Sequence, residues 1–318
     1  MRPPRISRST DVLTIRAASE SWIANLESRK RRPAKAATLQ TFRSYLKFHI
    51  EPNLGNLPVA SVTNATLRDF VVQLTTAKLA PKTIQAILSA LKSVVASVVN
   101  PVTGDCIYPH VWNSDFIDAP IVENQNQPIV SVQDLERALS VANAQDRALW
   151  ALASGSGARI GELLALRVGF SDASSYWNCT DATLMIRTSI FAGHEQAPKT
   201  KNSLRTIELA EPLNNLLKDF VGSRTNGFLF GNGRSANIST LRTHLDKHLP
   251  GFGFHAFRRF RTTTLRASRC EPQVEAYWLG HSPGQSMTDK YSKLYLDQSF
   301  RRQECERIGL GFVLPGTC

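Results

Sequence analysis

Cysteine is scarce in this chain of 318 residues: there are five, at positions 106, 179, 270, 305 and 318, and none forms a Cys-x-x-Cys pair. An odd, scattered set argues against a disulfide framework and against a thiolate zinc site, and it fits reduced thiols. Long apolar runs are also missing, and no stretch approaches the roughly 20 residues that span a bilayer. The arginine-bearing N-terminus lacks the apolar core and small-residue cleavage site of a signal peptide, so a cytoplasmic protein without membrane association is expected. Acidic residues are few beside basic ones: 26 Asp and Glu stand against 38 Lys and Arg, a formal net charge of +12. With a sequence pI near 9.8, that excess points to a polyanionic partner. Internal repeats and low-complexity tracts are absent.

What is present suggests two domains, each with its own core, which this length permits. Residues 1–12, with Arg2, Arg5 and Arg8 among prolines and serines, read as a basic arm. Ile15, Ala18, Trp22 and Leu26 then fall at helical spacing. A second helix carries Leu39, Phe42, Leu46 and Ile50 and is expected to end before Pro52. Thr63 is placed to cap a third, and Pro81 to start a fourth. Four amphipathic helices without strand signals make an all-α unit over 13–100. Prolines at 101, 109, 120 and 128 mark 101–128 as a linker, although Tyr108, Trp112 and Phe116 suggest that part of it packs down. Over 129–318, Ser131 caps a helix, another runs over about 145–153, and further helices fall at 212–221, 240–248 and 256–268. Strand-like segments at 183–191 and 206–209 predict a small antiparallel sheet. The fold class is thus mainly α, with a C-terminal domain that is mixed but mostly helical.

Chemistry-bearing residues concentrate between His255 and Tyr291. The stretch opens with His255-Ala256-Phe257-Arg258, passes through Leu279-Gly280-His281, and closes on Thr288-Asp289-Lys290-Tyr291. Histidines, clustered arginines and a tyrosine are the groups that phosphoryl transfer to a phenolic oxygen needs: charge to offset the phosphodiester, and proton carriers for nucleophile and leaving group. No close carboxylate pair flanks His255 or His281, so no metal site is expected there.

These motifs resemble the C-terminal signature of the tyrosine recombinases, the phage-integrase family. That family adds an arginine in a Gly-x-Arg-x-Gly-Glu turn, here Gly157-Ala158-Arg159-Ile160-Gly161-Glu162, and a hairpin lysine, here within Pro198-Lys199-Thr200-Lys201-Asn202-Ser203. Four motifs in the right order carry the resemblance, which extends from about residue 13 to about residue 310. It implies an N-terminal core-binding domain over 13–100 and a catalytic domain over 129–318. It also implies that Arg159 and Arg258 clamp the scissile phosphate, that Glu162 supports them, and that His281 hydrogen-bonds the phosphate. His255 would manage the proton of Tyr291, the nucleophile, with Tyr295 as the alternative. Lys199 would protonate the leaving 5′ oxygen, with Lys201 as its competitor or a plain phosphate contact.

The run Arg29-Lys30-Arg31-Arg32-Pro33-Ala34-Lys35 and Arg259 are candidate DNA contacts; a solvated charge cluster is nearly as good a reading of the run. The expected activity is site-specific recombination of double-stranded DNA through a 3′-phosphotyrosyl link, by a tetramer on two DNA sites that is a monomer or weak oligomer when free. No nucleotide, metal or other cofactor is implied. Strand rejoining like that of a type IB topoisomerase, and DNA binding without catalysis, are the rival activities.

Overall fold

The computed structural model describes residues 12–31, 33–108, 111–123, 127–197, 203–281 and 293–316. The chain divides into two compact units, Met1–Gln125 and Asn126–Cys318.

The first unit is built on helices α1 (Ile15–Ser28), α2 (Ala36–Tyr45), α3 (Glu51–Leu54), α4 (Asn64–Thr76) and α5 (Pro81–Ala96). Their apolar faces bury Ile15, Trp22, Leu67, Phe70, Ile84 and Leu91 in one core. Burying an aliphatic or aromatic side chain of this size is worth about 1.5–3 kcal/mol relative to exposure. Thr63 caps α4 by accepting the Thr66 N–H at 3.3 Å, and Pro81 sits in the first turn of α5, where its missing N–H costs nothing. The helix expected to stop before Pro52 does not stop. A π turn, Leu46–Ile50, follows α2, and the Glu51 N–H donates to the Leu46 carbonyl. The chain resumes as α3 with Pro52 in its first turn, where no intrahelical donor is needed.

Much of 101–120 packs on this unit. Asn113 caps the short helix α6 (Ser114–Ile117) by accepting the Phe116 N–H at 3.0 Å. Ile117 enters the core, and Gln85 donates to the Pro120 carbonyl at 2.9 Å.

The second unit opens with α7 (Val132–Val141), capped by Ser131, which accepts the Asp134 N–H at 3.0 Å. Next comes α8 (Ala144–Ser156), whose residues from Ala148 to Ser156 are all buried. A helix apolar nearly all round belongs at the centre of a core, and α8 packs against the later helices α10 (Glu211–Val221) and α12 (His255–Ala267). Between them come α9 (Ile160–Leu164) and strands β1 (Arg167–Val168), β2 (Tyr176–Asn178), β3 (Thr183–Ile186), β4 (Ser189–Phe191), β5 (His194–Gln196) and β6 (Arg205–Glu208).

Two expectations about the sheet are corrected. It is mixed, with order β1-β2-β3-β6, β1 parallel to β2 and the other pairings antiparallel. Segment 183–191 is two strands, since β4 pairs with β5 in a separate hairpin. The break is made by the buried Ser175 hydroxyl, which accepts the N–H groups of Arg187 and Thr188, both at 2.8 Å. Those two donors leave the ladder, and the strand ends there.

Helices α11 (Ile238–His248), α12 and α13 (Pro272–Leu279) complete the core with a last helix, Gln298–Ile308. The tail beyond it packs at home: Leu310, Phe312 and Leu314 are core residues, and the Phe312 ring meets Phe260 edge-on.

Candidate active site

Three local structures deliver the expected side chains. Gly157 ends α8 in the left-handed region at φ 67°. A Cβ there would lie 3.0 Å from Leu279 and 3.2 Å from Arg261. The chain then turns through Arg159, in an extended conformation just before α9. Gly161 is required by a close approach, because its Cβ would stand 2.7 Å from the Ile190 carbonyl of β4. Both glycines of the Gly-x-Arg-x-Gly turn are thus explained by backbone conformation and packing.

His255 begins α12, and Arg258 follows one turn later on the same side of the helix. Gly280, also left-handed at φ 63°, ends α13, and His281 follows it with its N–H on the Ala276 carbonyl at 2.8 Å.

Arg258 is buried, at 5% exposure. Its Nη1 donates to the Gly157 carbonyl at 2.8 Å, and its Nη2 donates to the Leu279 carbonyl. The same Nη2 lies 3.0 Å from His281 Nε2. Arginine only donates, so Nε2 is the acceptor and the proton of that imidazole sits on Nδ1. One side chain therefore joins the arginine turn, helix α12 and the Leu279-Gly280-His281 turn. Burial and the neighbouring Arg159 push the Arg258 guanidinium down to about 10, which leaves it charged at neutral pH.

Both histidines are held below their ordinary value. For His255 the causes are partial loss of hydration and then the charges of Arg258, Arg259 and Arg159. For His281 they are the same loss and the charges of Arg258, Arg159, Arg205 and Arg266. In both, lost hydration and neighbouring positive charge favour the neutral imidazole.

Glu162 stands beneath this cluster. Its Oε2 accepts the Arg159 N–H at 2.8 Å and its Oε1 accepts Arg159 Nη1 at 3.1 Å. Burial would raise this carboxyl, but the charge and hydrogen bonds of Arg205 and Arg159 prevail and hold it below the usual range. Arg205 donates to both carboxylate oxygens, at 3.2 and 2.9 Å. Arg205 was not among the residues expected at the site. The available signal was a cation at the start of a strand that also carries an acidic residue, Glu208.

Lys199, Lys201 and Tyr291 lie outside the described residues, as do Arg32 and residues 1–11 of the basic arm. Arg29, Lys30 and Arg31 follow α1 and are exposed; Lys35 precedes α2 and is half-buried. Arg259 is half-buried and donates to the Pro128 carbonyl at 3.3 Å. The arginines of α12 do not form one surface stripe. Arg261 is buried with Nη1 on the Gly309 carbonyl at 2.6 Å, and Arg266 pairs with Glu275 at 3.0 Å.

Two histidines four apart, His244 and His248, do occur on α11. His244 is held by Asp146 at 2.8 Å and His248 lies against the Trp150 ring. Among the described residues no three His, Cys, Asp or Glu converge so as to hold a metal ion. Burial pushes the Cys270 thiol up to about 12 and Cys305 up to about 11, so neither is a nucleophile near neutral pH. Among the described residues no helix is long and apolar enough to cross a membrane.

No protein-family model and no curated protein matches this chain. Solved structures do. The Tn1549 transposon integrase in complex with a circular intermediate DNA superimposes with a TM-score of 0.67 at 19% identity, covering 93% of this chain and 100% of that one. The same integrase in complex with transposon right end DNA gives 0.66 at 18%, over 88% and 95%. The fold is that of the integrases. A lambda integrase dimer bound to a COC′ core site agrees, with a TM-score of 0.56 at 14% identity over 93% of this chain and 96% of that one. At such identities the integrase likeness lies in the backbone.

Proposed function

We propose that this protein is a site-specific tyrosine recombinase that cuts and rejoins double-stranded DNA through a 3′-phosphotyrosyl link. The observation that carries the reading is the junction at Arg258. Residues 157, 258, 279 and 281, from three separate motifs, meet on one guanidinium beside Arg159. Two converging arginines suit the non-bridging oxygens of a phosphodiester, because each planar fork donates paired hydrogen bonds and stays charged.

In this mechanism Arg159 and Arg258 bind the scissile phosphate and offset the charge that builds in the transition state. His281 adds a hydrogen bond to the phosphate. Neutral His255 accepts the phenolic proton as Tyr291 attacks phosphorus. The bond to the 5′ oxygen breaks, and Lys199 protonates that oxygen as it leaves. The freed 5′-hydroxyl of a partner strand then attacks the phosphotyrosyl bond and releases the tyrosine. Since the link stores the bond energy, neither ATP nor a metal is consumed or required.

The helical unit over 13–100 acts as the core-binding domain, with Arg29, Lys30, Arg31, Arg32 and Lys35 on DNA phosphates. Lys201 and Arg259 contact phosphates from the catalytic domain over 129–318. Strand exchange takes place in a tetramer on two DNA sites, in the cytoplasm. The similarity to integrases solved on DNA supports this arrangement.

The test is covalent capture in EDTA. Duplexes covering the genomic surroundings of the coding sequence are incubated with the protein, denatured in detergent and probed for protein-linked DNA. Captured duplexes, supplied as two copies, should yield recombinant products. Relaxation of supercoils without exchange would favour a topoisomerase, and specific binding without capture would favour a regulator.

A further inference from the structure

We propose that Arg205 is a positioning residue that fixes the two halves of the phosphate site to one strand, and the inference rests on the phosphoryl-transfer reading above. Arg205 opens β6, and its side chain is wholly buried (0% exposed) against a Glu162 side chain that is itself 5% exposed. Along one edge its guanidinium grips both oxygens of Glu162. On the other, Nε donates to the Trp278 carbonyl at 2.7 Å, while Nη1 also reaches the Ser203 carbonyl at 3.0 Å.

Those partners belong to opposite sides of the site. Glu162 holds the backbone and side chain of Arg159. Trp278 lies in the last turn of α13, three residues before His281. Gly280 shows how tightly the turn closes over the guanidinium, since a Cβ there would meet Arg205 Nη1 at 3.0 Å and Cζ at 3.1 Å.

A buried ion pair offers little net stability against a well-packed apolar alternative. A rigid fork with fixed directions gives geometry, which a lysine in the same place cannot supply. Arg205 therefore sets the separation of Arg159 from His281 without touching the substrate. Misplacing a phosphate ligand by about 1 Å can cost on the order of 10² in rate.

The experiment uses the full chain, the duplex recovered by covalent capture, and the variants Arg205→Lys and Glu162→Gln. Binding is read by gel shift, adduct formation by single turnover at saturating protein, and folding by thermal melting. Both variants should bind within about threefold of the wild type, yet form adduct about 10²-fold more slowly. The loss should be the same on a substrate with sulfur at the bridging 5′ position. Rescue by sulfur would instead assign Arg205 to the leaving-group proton and overturn the proposal. Rate and affinity falling together with the melting point, in both variants, would make the residue merely structural and overturn it too. Unchanged rates would do the same. Should the wild type form no adduct, the phosphoryl-transfer reading itself falls, and the inference with it.

Discussion

Arg205, Arg258, Arg261 and Arg301 are at most 5% exposed in the 126–318 unit, with their guanidinium groups on carbonyl oxygens or on Glu162 and Glu208. Arg29, Lys30 and Arg31 of the other unit stand on its surface. A formal charge of +12 counts both kinds alike, but salt and DNA do not. Exposed cations are screened within about 10 Å at 0.1 M salt and exchange their counterions for phosphates. Interior ones are screened far less and are fixed in direction. On the recombinase proposed above, the difference would divide the labour: surface cations would set how tightly DNA is held, and interior cations with the groups around them how fast it is cut.

The sharpest break in that comparison is expected at Lys199. Lys199→Ala should bind normally but cleave on the order of 10²–10⁴ more slowly, because an alkoxide leaves poorly without a proton. A bridging 5′ sulfur should restore most of the rate, and it should not rescue Arg258→Ala, which loses charge stabilisation worth about 10²–10³. Rescue of Lys201→Ala in place of Lys199→Ala would transfer the role by two residues.

The opposite phenotype is expected on the surface. Replacing Arg29, Lys30 and Arg31 together by alanine should leave the adduct rate at saturation unchanged. It should reduce the slope of log affinity against log salt by up to ~0.9 for each phosphate that is no longer neutralised. An unaltered slope with a slower cut would reverse the assignment.

A smaller effect concerns His281, whose free-state value lies below the ordinary one. A bound phosphate would raise it, so between the free and bound values DNA binding takes up a proton and tightens as pH falls. Calorimetry near pH 6.5 in two buffers of different ionisation enthalpy should give different observed enthalpies. Equal enthalpies would mean that no proton is taken up.

The motifs that local chemistry dictates were legible in the sequence. Gly157 and Gly161 bracket the turn expected around Arg159, whereas the helix expected over 256–268 left out His255, and no helix was expected over 272–279 for Gly280 to end. Thr63, Pro81 and Ser131 marked helix starts for reasons of hydrogen bonding. Long-range decisions were not legible. β1 has two residues and cannot show a period of two, and the split of 183–191 depends on Ser175, some twelve residues upstream. Pro52 stopped the expected helix on paper, whereas a π turn admitted it. Arg205 looked like one more basic residue near the lysine turn, because its partners lie 43 and 73 positions away.

Transfer of a phosphodiester to Tyr291 is tested most directly by locating the bond. Protein–DNA adduct trapped in EDTA, digested with protease and nuclease, should yield one peptide carrying a nucleotide on Tyr291, and Tyr291→Phe should bind the same duplex yet yield none. A nucleotide on Tyr295 would move the nucleophile four residues, and an adduct on serine, or none without added metal, would contradict the account.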